Sequence, residues 1–155
     1  MKKYDIICNF SESMAAVCKN GKWGFINLFG KEIVHCIYDE VDWFFNGFAA
    51  VCSKNKWGFI NKYGQEVVSC KYKDILCFTD HLIAVKNEKD KWGFLTELGN
   101  ISVPFIYDLV FEFSNNTATV IKNGLYGQIN TLGNEIVPCI HQSFSYYNYN
   151  YEIQY

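Results

Sequence analysis

Lys22-Trp23-Gly24-Phe25-Ile26-Asn27 decides how this chain is read, because it comes back. Lys56-Trp57-Gly58-Phe59-Ile60-Asn61 repeats it letter for letter, and Lys91-Trp92-Gly93-Phe94-Leu95-Thr96 repeats it with two changes. A worn copy follows at Leu125-Tyr126-Gly127-Gln128-Ile129-Asn130. The aromatic–glycine pairs stand 34, 35 and 34 residues apart. A fixed period of this size is the signature of stacked repeats.

Working outward, a second marker runs at the same period. Tyr4, Tyr38, Tyr72 and Tyr107 are spaced by 34, 34 and 35 residues, with His141 34 further on. Phe10, Phe44, Phe78 and Phe113 each follow their tyrosine by six residues; Val17, Val51, Val85 and Val120 follow it by thirteen. The whole chain, 1–155, therefore reads as a single repeat domain of units 4–37, 38–71, 72–106 and 107–140, with 141–155 a decayed fifth start serving as a cap.

The local signals inside a unit are those of strands. Asn20-Gly21 and Asn123-Gly124 sit between apolar runs, and Asn-Gly there marks a tight hairpin whose turn residues both need positive φ. Asn55 and Asp90 hold the same place in the other units and tolerate that region. The one inserted residue of the third unit falls within Asn87-Glu88-Lys89-Asp90, as expected for an exposed loop tip. Gly30, Gly64, Gly99 and Gly133 each follow the pair's aromatic by seven residues and predict a second, bulged turn. The chain then returns through Glu32-Ile33-Val34 and its equivalents. The segment from tyrosine to phenylalanine is less regular and fits either a short strand or a 3₁₀ turn.

A 34-residue period also suits helical repeats, but these segments are short, β-branched and aromatic, and broken by glycine. The expected fold is all-β: an open, twisted, solenoid-like stack of antiparallel β-hairpin repeats of about 34 residues. A small closed barrel or propeller is the alternative. In such a stack the structural repeat core comprises Trp23, Trp57, Trp92 and Tyr126 beside Gly24, Gly58, Gly93 and Gly127. The indole supplies buried area, and the glycine lets a neighbouring backbone come close.

These residues carry a resemblance. Lys-Trp-Gly-Phe-Ile-Asn, then Gly, then Glu-Ile-Val, then Tyr-Asp, then Phe, then Gly-Phe-Ala-Ala-Val is similar to the bacterial WG repeat family, from residue 4 to about 140. The resemblance implies a β-rich tandem repeat, often attached to other domains, with no shared catalytic residue. The chain departs from the pattern at Leu125-Tyr126 and at Lys73.

Composition narrows the function classes. Half of the 155 residues are apolar and 18% are aromatic, ample for a core. All 14 basic residues are lysine, so the bidentate forks that read guanine or grip phosphate are missing. With a net charge of −2 and no basic stripe, nucleic acid is not an expected partner. No apolar run approaches the roughly eighteen residues of a membrane span, so no membrane partner is expected. Met1-Lys2-Lys3 opens like a signal peptide, but Asp5, Asn9 and Glu12 interrupt any apolar region. Seven cysteines, an odd count, fit a reducing compartment. The expected location is the cytoplasm; the oligomeric state is left open.

No catalytic motif emerges, and no enzyme activity, metal or cofactor is expected. Cys36, Cys70 and Cys139 share a repeat phase with Phe105, which marks small buried positions, and no Cys-x-x-Cys pair exists. His35, His81 and His141 pair with no recognisable nucleophile motif. Asp5, Asp39 and Asp108 occupy one phase and suit turn capping. Glu32 and Glu66 are placed to pair with Lys22 and Lys56 across the hairpin, whereas the third and fourth units keep only one partner each, Lys91 and Glu135. Residues that break the repeat are not demanded by packing. Trp43 and Phe45, with Asp42, the equivalent-loop Phe111, and Tyr147 of the aromatic tail, are therefore the candidate binding residues. The expected function is a non-enzymatic protein-interaction module, an adaptor or inhibitor. The alternative is a carbohydrate or other ligand-binding module using exposed aromatics.

Overall fold

A computed structural model describes residues 3–79 and 81–143. Tyr147 and residues 144–155 of the tail expected as a cap lie outside the described residues.

Each sequence repeat builds one four-stranded antiparallel sheet whose strands follow chain order. The first sheet contains β1 (Ile6–Ser11), β2 (Met14–Lys19), β3 (Lys22–Asn27) and β4 (Glu32–Tyr38). The second contains β5 (Glu40–Val41), β6 (Phe48–Ser53), β7 (Lys56–Asn61) and β8 (Glu66–Tyr72). The third contains β9 (Asp74–Thr79), β10 (Leu82–Lys86), β11 (Trp92–Thr96) and β12 (Ile101–Tyr107). The fourth contains β13 (Leu109–Val110), β14 (Thr117–Lys122), β15 (Leu125–Asn130) and β16 (Glu135–His141). The fold is the all-β repeat array expected, and none of the four sheets closes on itself. The tyrosine-to-phenylalanine segment resolves as a strand, reduced to two residues in the second and fourth repeats.

Turn chemistry fixes these registers. Asn20 and Gly21 have φ of 53° and 74°, and Asn123 and Gly124 53° and 76°, so Lys19 pairs with Lys22 and Lys122 with Leu125 across two-residue loops. At the second turn, Gly30, Gly64, Gly99 and Gly133 all have positive φ. There Gly30 N–H donates to Asn27 O at 2.9 Å, and Asn27 N–H to Lys31 O at 2.9 Å. The Asn27 side chain braces the loop further, its Oδ1 accepting from Phe29 N–H and Lys31 N–H at 3.0 Å each. Asn61 and Asn130 repeat this arrangement.

The Trp-Gly pair acts through its glycine. A Cβ on Gly24 would lie 2.3 Å from Val34 O, and on Gly58 2.4 Å from Val68 O. The bare position admits a bulge in the returning strand: Trp23 pairs with Tyr38, yet Phe25 pairs with Val34, so β4 carries extra residues opposite the glycine. The same shift recurs opposite Gly58, Gly93 and Gly127. The indoles differ from expectation. Trp92 is buried, but Trp23, Trp57 and Tyr126 are only half-buried. Position alone does not separate them, since all four lie at the start of their strands beside the hairpin loop. In the third repeat the loop is one residue longer, and Lys86 Nζ lies 5.9 Å above the Trp92 ring.

The chain divides into two compact units, Met1–Asp74 and Ile75–Tyr155. In the first, Met14, Phe25, Val34 and Tyr38 of the first sheet pack against Phe44, Ala49, Val51 and Ile60 of the second. In the second, Leu82, Ala84, Trp92, Phe94 and Val103 pack against Val110, Phe113, Ala118, Val120 and Ile129. Each sheet alone leaves one apolar face open, and its neighbour covers it.

Candidate functional site

The candidate site of the first unit is the loop 42–48. Its centre is an inward residue. Phe44 is buried and meets Phe25 edge-on, with centroids 4.9 Å apart and planes at 74°. A ring held this way gains about 0.5–1.5 kcal/mol beyond its area. Its neighbours must then point outward, and Trp43 is 68% exposed and Phe45 53% exposed. Asn46 and Gly47, at φ 49° and 85°, turn the chain. Phe45 and Phe48 exchange hydrogen bonds of 2.8 and 3.1 Å across that turn.

The loop is clamped by the preceding repeat. Ser11 Oγ donates to Phe44 O at 2.7 Å, and Gly47 N–H donates to Glu12 Oε2 at 2.9 Å. Lys62 Nζ reaches the same carboxylate at 3.2 Å. Burial pushes the Glu12 carboxyl up, but the Gly47 amide and Lys62 outweigh it and hold Glu12 below the usual carboxylate range. Asp42 accepts from Trp43 N–H at 2.8 Å, so its side chain shapes the loop. Trp43 and Phe45 are thus presented on a braced backbone, and little ordering entropy remains to be lost on binding.

Loop 111–117 of the second unit has the same backbone plan. Phe113 is buried edge-on against Phe94, at 4.9 Å and 65°. Asn115 and Asn116 make the turn at φ 52° and 62°. Outward, however, stand Phe111, Glu112 and Ser114 in place of Asp42, Trp43 and Phe45. Phe111 is exposed, at 42%.

Further exposed residues went unremarked in the sequence. Phe29 is 93% exposed and Tyr63 82%, each at the apex of an asparagine-braced turn. Leu98 and Leu132 hold the same place in the second unit and are also exposed. In an antiparallel sheet alternate turns share one end, so the β3–β4 and β1–β2 turns lie together. Glu12 ties that end to Gly47 and Lys62. Leu28, Phe29, Trp43, Phe45 and Tyr63 therefore crowd one end of the first unit. The recurring Asn-x-apolar-Gly pattern was the available signal, since an apolar side chain at a turn apex has nothing to pack on.

Several titratable groups brace turns and strands. Asp39 Oδ1 accepts from Lys22 Nζ while Oδ2 accepts from Lys54 N–H at 2.7 Å. Lys22, then that amide, hold Asp39 below its ordinary range. Asp108 repeats this with Lys91 and with Gly124 N–H at 3.2 Å, and Asp5 caps Asn20 N–H at 2.8 Å. The expected Lys22–Glu32 pair is thus corrected: Lys22, like Lys91, reaches forward to the acid opening the next repeat. Glu32 instead accepts from Tyr4 Oη at 2.7 Å and pairs with His35 at 2.6 Å. Cys36 and Cys70 are half-buried and point at Val17 O and Val51 O. Burial, with Glu66 nearby, pushes the Cys70 thiol up to about 11, so it is not a thiolate nucleophile at neutral pH.

Four stacked-strand repeats, each with a bare glycine opposite a bulge, define a tandem β-repeat protein. The model of the WG containing repeat matches residues 2–23, 23–57, 57–92 and 92–126, and the chain belongs to that family. No curated protein matches the sequence. Among solved structures, it is similar to the computationally designed Ika8 protein, with a TM-score of 0.52, 15% identity, and coverage of 87% of this chain and 49% of that one. It also matches Hsv2p of Kluyveromyces lactis (TM-score 0.47, 14% identity, 81% and 46% covered). The WD40 beta propeller domain of Doa1 matches as well (TM-score 0.44, 10% identity, 84% and 52% covered). The chain spans about half the length of these structures, and at such identity the likeness concerns the fold alone.

Proposed function

We propose that this chain is a protein-interaction module of the cytoplasm, acting as an adaptor or inhibitor without catalysis of its own. The observation that carries this reading is the braced loop 42–48, which turns Trp43 and Phe45 outward while Phe44 anchors it. Monomeric surfaces rarely expose contiguous large apolar side chains, and such patches mark contact sites. Tryptophan on a preformed loop has the character of an interface anchor. Leu28, Phe29 and Tyr63 extend the patch at the same end of the unit. A partner protein would offer pockets for the two rings, with Asp42 and the Glu12–Lys62 pair at the rim.

Affinity capture from the native cell with the purified chain as bait tests this. The Trp43→Ala/Phe45→Ala double variant should lose the partner while its urea midpoint stays close to wild type, since exposed substitutions usually shift stability by about 0.5 kcal/mol or less. Undiminished capture by that variant would remove this surface from consideration.

A further inference from the structure

The outer residues of the fourth sheet break the repeat in a consistent direction. Ala16 faces Phe25, Ala50 faces Phe59 and Ala84 faces Phe94 across the central strand pair of the first three sheets. In the fourth sheet that pair is Thr119 and Gln128. Two more positions of the same face follow: Met14 and Leu82 become Thr117, and Trp23 and Trp92 become Tyr126. In the first and third sheets this face is core, with Phe25 against Phe44 and Phe94 against Phe113. In the fourth it lines an open depression of about 710 Å³, together with Phe111, Glu112 and Asn115. That volume falls within the roughly 300–1,000 Å³ of small-molecule sites.

A face meant only for water is served by charge. This one holds amides and hydroxyls between two rings, and among the described residues its lining includes one carboxylate, Glu112, and no cation. Ring faces match the C–H face of a pyranose. The Gln128 and Asn115 amides and the threonine hydroxyls each both donate and accept, as paired sugar hydroxyls require. Phosphate or carboxylate ligands would meet Glu112 without a compensating lysine. We infer that this depression binds a neutral oligosaccharide, with Phe111 and Tyr126 as stacking rings and Thr119, Gln128 and Asn115 as hydroxyl partners. The site shares no residue with the Trp43–Phe45 platform and stands independently of the function proposed for it.

Titration of the full chain with cellohexaose, maltohexaose and chitohexaose, followed by calorimetry and amide shifts, tests the inference. At least one sugar should bind with a Kd of about 1 mM or tighter and shift amides within residues 111–128. Gln128→Leu and Thr119→Ala each install the kind of residue the other repeats carry, so both preserve the fold. Each should weaken binding about tenfold or more, whereas Trp43→Ala should leave it unchanged. Absence of binding by all three sugars, or binding indifferent to Gln128→Leu, overturns the inference.

Discussion

Loops 42–48 and 111–117 share a backbone and differ in everything they display. Each buries one phenylalanine edge-on at 4.9 Å and turns on two residues of positive φ. One then presents Trp43 and Phe45; the other presents Phe111, Glu112 and Ser114. The repeat thus separates two demands. Phase-locked residues satisfy packing, and the positions beside them are free to vary. What varies is where function is to be sought, because the fold does not pay for it.

The comparison breaks first at its anchors. Phe44→Ala and Phe113→Ala should each cost about 3–5 kcal/mol, as buried aromatic truncations do. Urea melts should give two losses within about 1 kcal/mol of one another if the anchors are equivalent. A large loss at one and a trivial loss at the other would mean the loops only look alike.

The glycines give a smaller, sharper contrast. A Cβ on Gly24 meets Val34 O at 2.3 Å, a backbone atom that cannot step aside. On Gly127 the nearest atom is Cys139 Sγ at 2.5 Å, with Val137 O at 2.8 Å. Gly24→Ala should therefore cost about 3 kcal/mol, at the upper end of overpacking losses, and Gly127→Ala nearer 1–2 kcal/mol. Adding Cys139→Ala should recover part of the second loss and none of the first. Equal costs, unmoved by Cys139→Ala, would show that the thiol is not the obstacle.

The smallest effect concerns pH. Asp39 and Asp108 are held below their ordinary range by Lys22 and Lys91. A depressed folded-state pKa means stability that is present above the unfolded value of about 3.9 and is lost as pH falls through the folded one. The urea midpoint should drop below about pH 4, and Asp39→Asn should flatten that drop. Because Asp39 is partly exposed, the change is expected to be small and weaker in salt. An unaltered pH profile in Asp39→Asn would assign the acid sensitivity elsewhere, with Glu12 and Glu32 the next groups to test.

The period, the strands and the turns were legible because turn chemistry is local: Asn20-Gly21 and the positive-φ glycines state their geometry in two to four letters. The close approach at Gly24 was legible for a related reason, since a missing side chain is visible in sequence. Burial of the indoles was not, because Trp57 and Trp92 have nearly identical neighbours in the chain. What separates them is tertiary: Trp92 joins the core of its unit, and Lys86 reaches over its ring. The Lys22–Asp39 clamp was missed because its partner depends on where the next repeat begins, which strand patterning alone does not fix. Trp43 and Phe45 were legible as exceptions to the repeat. Phe29 and Tyr63 were overlooked for the opposite reason: they obey it.

The bulge opposite each glycine has a consequence at the sheet margin. β4, β8, β12 and β16 are each the last strand of their sheet, and an outermost strand invites pairing by a stray chain. Extra residues kink that strand and spoil its outward row of donors and acceptors, while Pro104 in β12 and Pro138 in β16 each remove a donor outright. The glycine that lets the strand buckle inward thereby makes that margin a poorer template for growth into fibrils. In an array this rich in β-branched and aromatic residues, the dipeptide that defines the repeat also works against edge-to-edge assembly.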